Sequence, residues 1–316
     1  ASEVVELLDA RSYFELTQQP FPDSLEKMGE RFVGERLVRL DDDGTHSVPN
    51  LGALLFAHRL EAFDGLQRKA VRVVLYDDEG RTTALREREF TRGYAAVFEE
   101  LITFINYQLP QNEVLGEALR RDVKMYPAVA IRELVANALI HQDLQRTGTG
   151  PMVEVFSDRI EVTNPGRPLI DANRFIDHPP ESRNDRMASF MRRVNICEER
   201  GSGIDKVVFS VEVAQLPPPD FVVLEDHTRA VLFALRTFAE MSAEERVRAC
   251  YQHACLQEVS NKKRTNESLR GRFGIEKKNH SMASRVIRET LATGLIKDAN
   301  PASASKKLAS YEPFWA

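Results

Sequence analysis

Cysteine is scarce in this chain: Cys197, Cys250 and Cys255 are the only three among 316 residues. Their scattered spacing forms neither a disulfide framework nor a zinc site and suits a reducing compartment, so a cytoplasmic location is expected. No run of eighteen apolar residues occurs, which argues against a membrane-spanning helix and a membrane partner. No signal-peptide pattern follows Ala1, and a start without methionine predicts a processed or excised N-terminus. The Gly201 loop lacks the lysine of a P-loop, and no serine elbow accompanies His141 and Asp143 to make a hydrolase triad. Helicase motor motifs are absent as well.

Hydrophobic residues make up 42% of the chain, enough for real cores and too much for wholesale disorder. This length predicts two or three domains. The formal net charge of -5 hides an asymmetry: from Ser242 onward, 14 Lys and Arg face 8 Asp and Glu, so a basic tail follows an acidic body. Such a tail is the electrostatic footprint of a small nucleic-acid module, although a solvated charged face has the same composition.

Three regions follow, 1–110, 111–240 and 241–316. The first reads as an α+β scaffold. It has a helical pattern over Asp23–Leu37, a tight turn at Asp41–Gly44, a buried segment Asn50–Phe56, a strand Val71–Tyr76 and a helix Ala95–Leu109. In the second, Pro127 opens a helix through Ile140, and strands span Met152–Phe156 and Ile160–Thr163. A polar segment Pro168–Arg186 leads to a helix near Met187–Arg193, and a helix Ile204–Val213 precedes a strand Ala230–Leu235. No βαβ unit repeats, so this order predicts an α/β sandwich with helices on one face. The third has helical patterns over Ala243–Glu258, over Asn266–Phe273 between Thr265 and Gly274, and from Asn279 or Ser281 through Thr293. Two short strands then end it, the layout of a winged helix-turn-helix.

The densest chemistry lies around Glu133 and Asn137, four residues apart and hence on one helix face. An amide oxygen at Asn137 can ligate Mg²⁺, a hard ion that prefers oxygen donors and bridges phosphates. Glu133 can accept a proton from an attacking water. Downstream, Asn164 ends a buried strand where it can meet an adenine edge, and Gly166 permits close approach of backbone to ring. Arg200-Gly201-Ser202-Gly203, ahead of an apolar helix, offers N–H groups to phosphate oxygens, with Arg200 and Arg183 as compensating charge. Against this stands an amphipathic helix with two ordinary solvated residues. The ordered set points to ATP and Mg²⁺ more strongly than any one part.

The stretches Glu133 to Asp143, Ile160 to Gly166, Ser182-Arg183-Asn184 and Glu199 to Ile204, with the ending Tyr311 to Ala316, carry a family resemblance. The chain resembles the transcriptional regulators labelled RecG-like or Schlafen AlbA-type, which are ATP-binding proteins, and its middle region resembles the GHKL ATPases. The resemblance runs from Tyr13 onward and leaves out the AlbA-like module, as in a truncated piece or a reduced member. It implies a catalytic glutamate at Glu133, a magnesium asparagine at Asn137 and an adenine-recognising residue at Asn164, with Gly166 after it. It also implies phosphate-side glycines at Gly201 and Gly203, beside Arg200 and Ser202, and an ATP lid between Pro168 and Arg200. Two positions depart from the pattern. Asn164 has an acceptor but no charge where the family has aspartate, and Pro168 lacks an amide donor where it has glycine. The expected fold class is α+β: a GHKL-like α/β sandwich with an N-terminal α+β extension and a C-terminal winged helix-turn-helix.

In that last module Lys277, Lys278, Asn279 and Ser281 would reach bases or phosphates, and Arg285 and Arg288 the DNA backbone. Lys306 and Lys307 would sit in or beside the wing. Double-stranded DNA and a homodimer reading a palindrome are the expected partners, although such modules also serve dimerisation or protein docking. The whole reads as an ATP-binding transcriptional regulator. Its rivals are a nucleotide-free scaffold or dimerisation protein, and a DNA-stimulated Mg-dependent ATPase.

Overall fold

The computed structural model describes residues 2–109, 111–115, 120–197, 203–300 and 309–316. Six strands form one mixed sheet in the order Ala84–Phe90, Val71–Tyr76, Met152–Val155, Arg159–Pro165, His227–Phe233, Asp220–Val223. Val71–Tyr76 and Met152–Val155 run parallel, and every other neighbouring pair is antiparallel. A division of the chain at 110 therefore runs through a single sheet.

Alternation along the strands decides what each face does. Val153, Val155, Ile160 and Val162 join one core with the helices Tyr94–Gln108, Ala128–His141 and Asp185–Arg193. In Ala128–His141, Ile131, Leu134, Val135 and Leu139 are buried, and each such side chain contributes about 1.5–3 kcal/mol. Glu154 and Glu161 alternate with these apolar residues and meet guanidinium groups instead. Arg81 forks onto Glu154 at 2.8 and 3.1 Å, while Arg81, Arg159 and Arg229 surround Glu161. Removing one partner from so buried a carboxylate typically costs about 3–5 kcal/mol.

The C-terminal helices Ala243–Val259, Asn266–Phe273 and His280–Ala292 enclose a second core around Leu256, Leu269, Phe273 and Val286. An antiparallel pair, Ile296–Asp298 with Tyr311–Pro313, follows them. Ser242 with Glu245 and Thr265 with Ser268 form reciprocal caps, each worth about 1 kcal/mol. Ile176 and Val208 enter this second core from the sheet-bearing part, so the two cores abut.

The structure departs from the sequence reading at the sheet edges. Ala84–Phe90, where no strand is expected, is an edge strand exposed along most of its length. Its Arg86-Glu87-Arg88-Glu89 run needs no apolar alternation, because a charged edge resists pairing with other chains. Asn50–Phe56, expected only as a buried segment, is a helix. Among the described residues no helix is long and apolar enough to cross a membrane.

Candidate nucleotide site

Helix Ala128–His141 follows Pro127 and is apolar on most of its circumference, yet Glu133 within it is only 4% exposed. An ordinary solvated glutamate is thereby ruled out at this position. A carboxylate withdrawn from water is costly and persists only where neighbours hold it. Asn137 lies one turn further on. A Cβ built on Gly203 would stand 2.8 Å from Glu133 Oε2 and 3.6 Å from Asn137 Nδ2. Absence of a side chain at 203 thus lets the helix Gly203–Val213 begin against both groups.

Glu133, Asn137 and Gly203 open onto a cavity of about 480 Å³, a size that suits a small-molecule ligand. Two adjacent strands supply another wall: Asn164 pairs in register with Thr228, and Val162 with Ala230. Asn164 is buried, and its Nδ2 donates to the Pro165 carbonyl at 3.2 Å. Pro168, Leu169, Phe175 and His178, from the polar segment after this strand, complete the enclosure. The sequence reading of Glu133, Asn137, Asn164 and Gly203 as neighbours is what the cavity brings together.

Gly166 is placed differently. It does not line the cavity; its φ is 98°, and a Cβ there would meet Asp143 Cβ at 2.7 Å. The missing side chain lets the strand end cross the helix end, where Asp143 N–H donates to the Pro165 carbonyl at 2.8 Å. Arg183 donates from Nη2 to the Arg167 carbonyl at 2.7 Å. Arg200, Gly201 and Ser202 lie outside the described residues, as do Lys306 and Lys307.

Asn184, from the Ser182-Arg183-Asn184 motif, and Lys69, which sequence reasoning did not single out, fix the end of the site helix. Asn184 Nδ2 donates to the carbonyls of Ile140 and Gln142 at 2.7 and 2.9 Å. Buried Lys69 donates from Nζ to the Arg146 carbonyl at 2.6 Å and the Asp143 carbonyl at 3.4 Å. Burial pushes the Lys69 ammonium below its usual range, with the Asp143 charge opposing. His141, a cavity residue, is likewise held below its usual pKa by burial and by the Arg183 charge. Asn184 belongs to a motif visible in the sequence. Nothing in the sequence marks Lys69, because its partners lie more than seventy residues away.

Asp205, in the first turn of Gly203–Val213, gives a pH-dependent prediction. Burial pushes its carboxyl up from 3.8 to about 6, with its backbone hydrogen bond opposing and the Asp177 charge adding. Its Oδ1 is buried without a hydrogen-bond partner. The folded state therefore retains a proton that the unfolded chain releases between 3.8 and about 6, and stability falls as pH rises through that window. Asp205→Asn should raise the melting temperature at about pH 8 and leave it unchanged near pH 3. Equal melting of both proteins at the higher pH would refute this.

The basic candidates of the C-terminal part sit on the surface. Lys277, Lys278 and Asn279 form a short turn, and Ser281, Arg285 and Arg288 share the exposed face of His280–Ala292. Carboxylates temper the charge: Lys278 is 2.6 Å from Glu276, and Arg285 is 3.8 Å from Glu289. Such exposed pairs contribute about 0–1 kcal/mol and yield readily to a polyanion.

Comparison with known proteins adds a family. Residues 148–232 match the family described as "Putative ATP-dependent DNA helicase recG C-terminal". That span holds Asn164, Gly166 and Thr228, while Glu133 and Asn137 precede it. No curated protein matches the chain. Among solved structures, the DIP2311 protein from Corynebacterium diphtheriae superposes with a TM-score of 0.59 at 18% sequence identity. The alignment covers 92% of this chain and 58% of that one, a likeness of fold over little more than half the relative's length. Residues 148–232 of this mixed α+β chain are thus similar to a RecG-like, ATPase-type family.

Proposed function

We propose that this protein binds ATP with Mg²⁺ in the cavity and acts as a DNA-binding regulator through its C-terminal helices. One observation carries the nucleotide reading. Buried Glu133 and Asn164 and half-buried Asn137, from two separate elements, converge on one cavity, and Asn164 lies within the RecG-like region. Among the described residues no cluster of three His, Cys, Asp or Glu could cage a metal. Mg²⁺ needs no such cage, since it keeps waters and shares phosphate oxygens with one or two protein donors. Asn137 Oδ1 is the donor that fits, and bound Mg²⁺ would neutralise charge between phosphates. Asn164, with Nδ2 engaged by Pro165, offers Oδ1 to the exocyclic amine of adenine. The N-terminus of Gly203–Val213, which begins against Glu133 and Asn137, faces the phosphates. Glu133 orients a water if turnover occurs.

The test is calorimetric titration with ATP, with and without Mg²⁺. Saturable, magnesium-dependent binding supports the reading, and none up to about millimolar ATP, which corresponds to about -4 kcal/mol, would sink it. DNA-stimulated hydrolysis lost in Glu133→Gln would extend the reading to an ATPase. Binding of neither nucleotide nor DNA would leave the scaffold reading.

For DNA, the supporting observation is that Ser281, Arg285 and Arg288 share one exposed helix face, followed by an antiparallel strand pair. A cytoplasmic homodimer presenting two such faces to a palindrome belongs to the same proposal. Arg285→Ala with Arg288→Ala should weaken duplex binding and lower the slope of log K against log salt by about 0.9 per lost phosphate contact. An unchanged slope in fluorescence anisotropy would remove this face from the DNA interface.

A further inference from the structure

The segment between the strand Arg159–Pro165 and the helix Asp185–Arg193 touches two parts of the molecule at once. Leu169, Phe175 and His178 line the cavity. Their immediate neighbours are fastened to the C-terminal helices. The Tyr251 hydroxyl donates to the Asn173 carbonyl, and Ile176 is buried in the second core with Ala249 and Leu256. The Arg174 guanidinium lies 5.3 Å from the Trp315 ring centroid and is held by a fork onto Asp177. Phe175 packs edge-on against Phe221, another cavity residue, at 5.4 Å. Within residues 173–176 the cavity residue Phe175 is flanked by Asn173, Arg174 and Ile176, which all hold C-terminal contacts, too short a stretch for one set to shift without the other.

Helix Gly203–Val213 makes a second connection. Gly203 begins it against Glu133, Ile204 packs on both cores, and Val208 is buried in the second. Toward its far end Glu212 Oε1 lies 2.9 Å from His253 Nδ1, and His253 Nε2 lies 3.0 Å from Ser268 Oγ. This trio has the order of a hydrolytic triad but a different use. The Ser268 hydroxyl donates to the Thr265 carbonyl and accepts from the Thr265 N–H, so it serves as a helix cap. The trio pins three helices together. Eleven helical residues span about 16 Å, so one stiff element reaches from the cavity to this pin.

We infer that cavity occupancy and docking of the C-terminal helices are coupled with positive sign through segment 169–178 and helix Gly203–Val213. A nucleotide filling the cavity holds Leu169, Phe175 and His178 in place, and with them the Asn173, Arg174 and Ile176 contacts. By reciprocity, loosening the C-terminal contacts weakens the nucleotide. The inference rests on the nucleotide reading above and adds its consequence for the DNA-facing module.

The chain has a single tryptophan, Trp315, and it lies at this junction rather than in the cavity. Its accessibility to acrylamide should therefore fall as the full chain is titrated with Mg-ATP, saturating at the calorimetric Kd. Tyr251→Phe, which alters no cavity wall, should weaken ATP binding about fivefold or more and abolish the protection of Trp315. Calorimetric binding with unchanged Trp315 quenching overturns the coupling while leaving the nucleotide reading intact. A Tyr251→Phe protein that binds and protects as the unsubstituted chain does also overturns it. Absence of calorimetric binding removes both.

Discussion

Asn137→Ala should abolish the magnesium dependence of ATP binding. The amide stands in the cavity one helical turn from buried Glu133, with its Nδ2 facing the start of Gly203–Val213. Truncation removes the oxygen donor assigned to Mg²⁺ but leaves the apolar packing of the helix, which Ile131, Leu134, Val135 and Leu139 provide. An interaction with a charged partner is worth about 1.5–3 kcal/mol, so the Kd for Mg-ATP should rise roughly 10- to 150-fold. In excess chelator the variant and the unsubstituted protein should bind ATP alike. Calorimetry in both conditions separates a lost metal donor from a damaged cavity. Equal weakening with and without Mg²⁺ would assign Asn137 to shape, and no weakening would remove it from the site.

The legibility of Asn137 in the sequence has a physical reason. Two polar residues four apart on one helix stay neighbours whatever the helix packs against. The burial of Glu133 was not legible, because it depends on the helix Gly203–Val213 arriving some seventy residues later. Asn164 could be read as a strand end, but its register with Thr228 is a property of the assembled sheet. Lys69 escaped for the same reason: the carbonyls it binds are chosen by tertiary structure. The edge strand Ala84–Phe90 escaped because its solvated faces carry no apolar period. Periodicity reports elements with one buried face. It is silent on edges and on partners supplied from afar.

Gly166 shows a further limit. A glycine after Asn164 suggests close approach of backbone to a ligand, and the fold uses it for close approach of backbone to Asp143. Both demands exclude a Cβ, so residue type alone does not separate them. A pair of substitutions does. Gly166→Ala places a Cβ 2.7 Å from Asp143 Cβ at a φ of 98°, whereas Gly148→Ala, at a φ of 73°, meets nothing within 4 Å. The second should cost only the backbone strain, about 1–2 kcal/mol, and the first that strain plus overpacking, about 2–5 kcal/mol in all. Urea unfolding should therefore order the midpoints as unsubstituted protein, then Gly148→Ala, then Gly166→Ala. The larger loss carries into the site, because Thr228 Oγ1 donates to the Gly166 carbonyl at 2.7 Å and Thr228 stands in the cavity beside Asn164. Opening the crossing to admit a methyl group displaces that carbonyl, so ATP affinity should fall in Gly166→Ala and hold in Gly148→Ala. Equal midpoints for the two variants would mean that the strand end and helix end move apart freely, and the close crossing would then have no part in shaping the cavity.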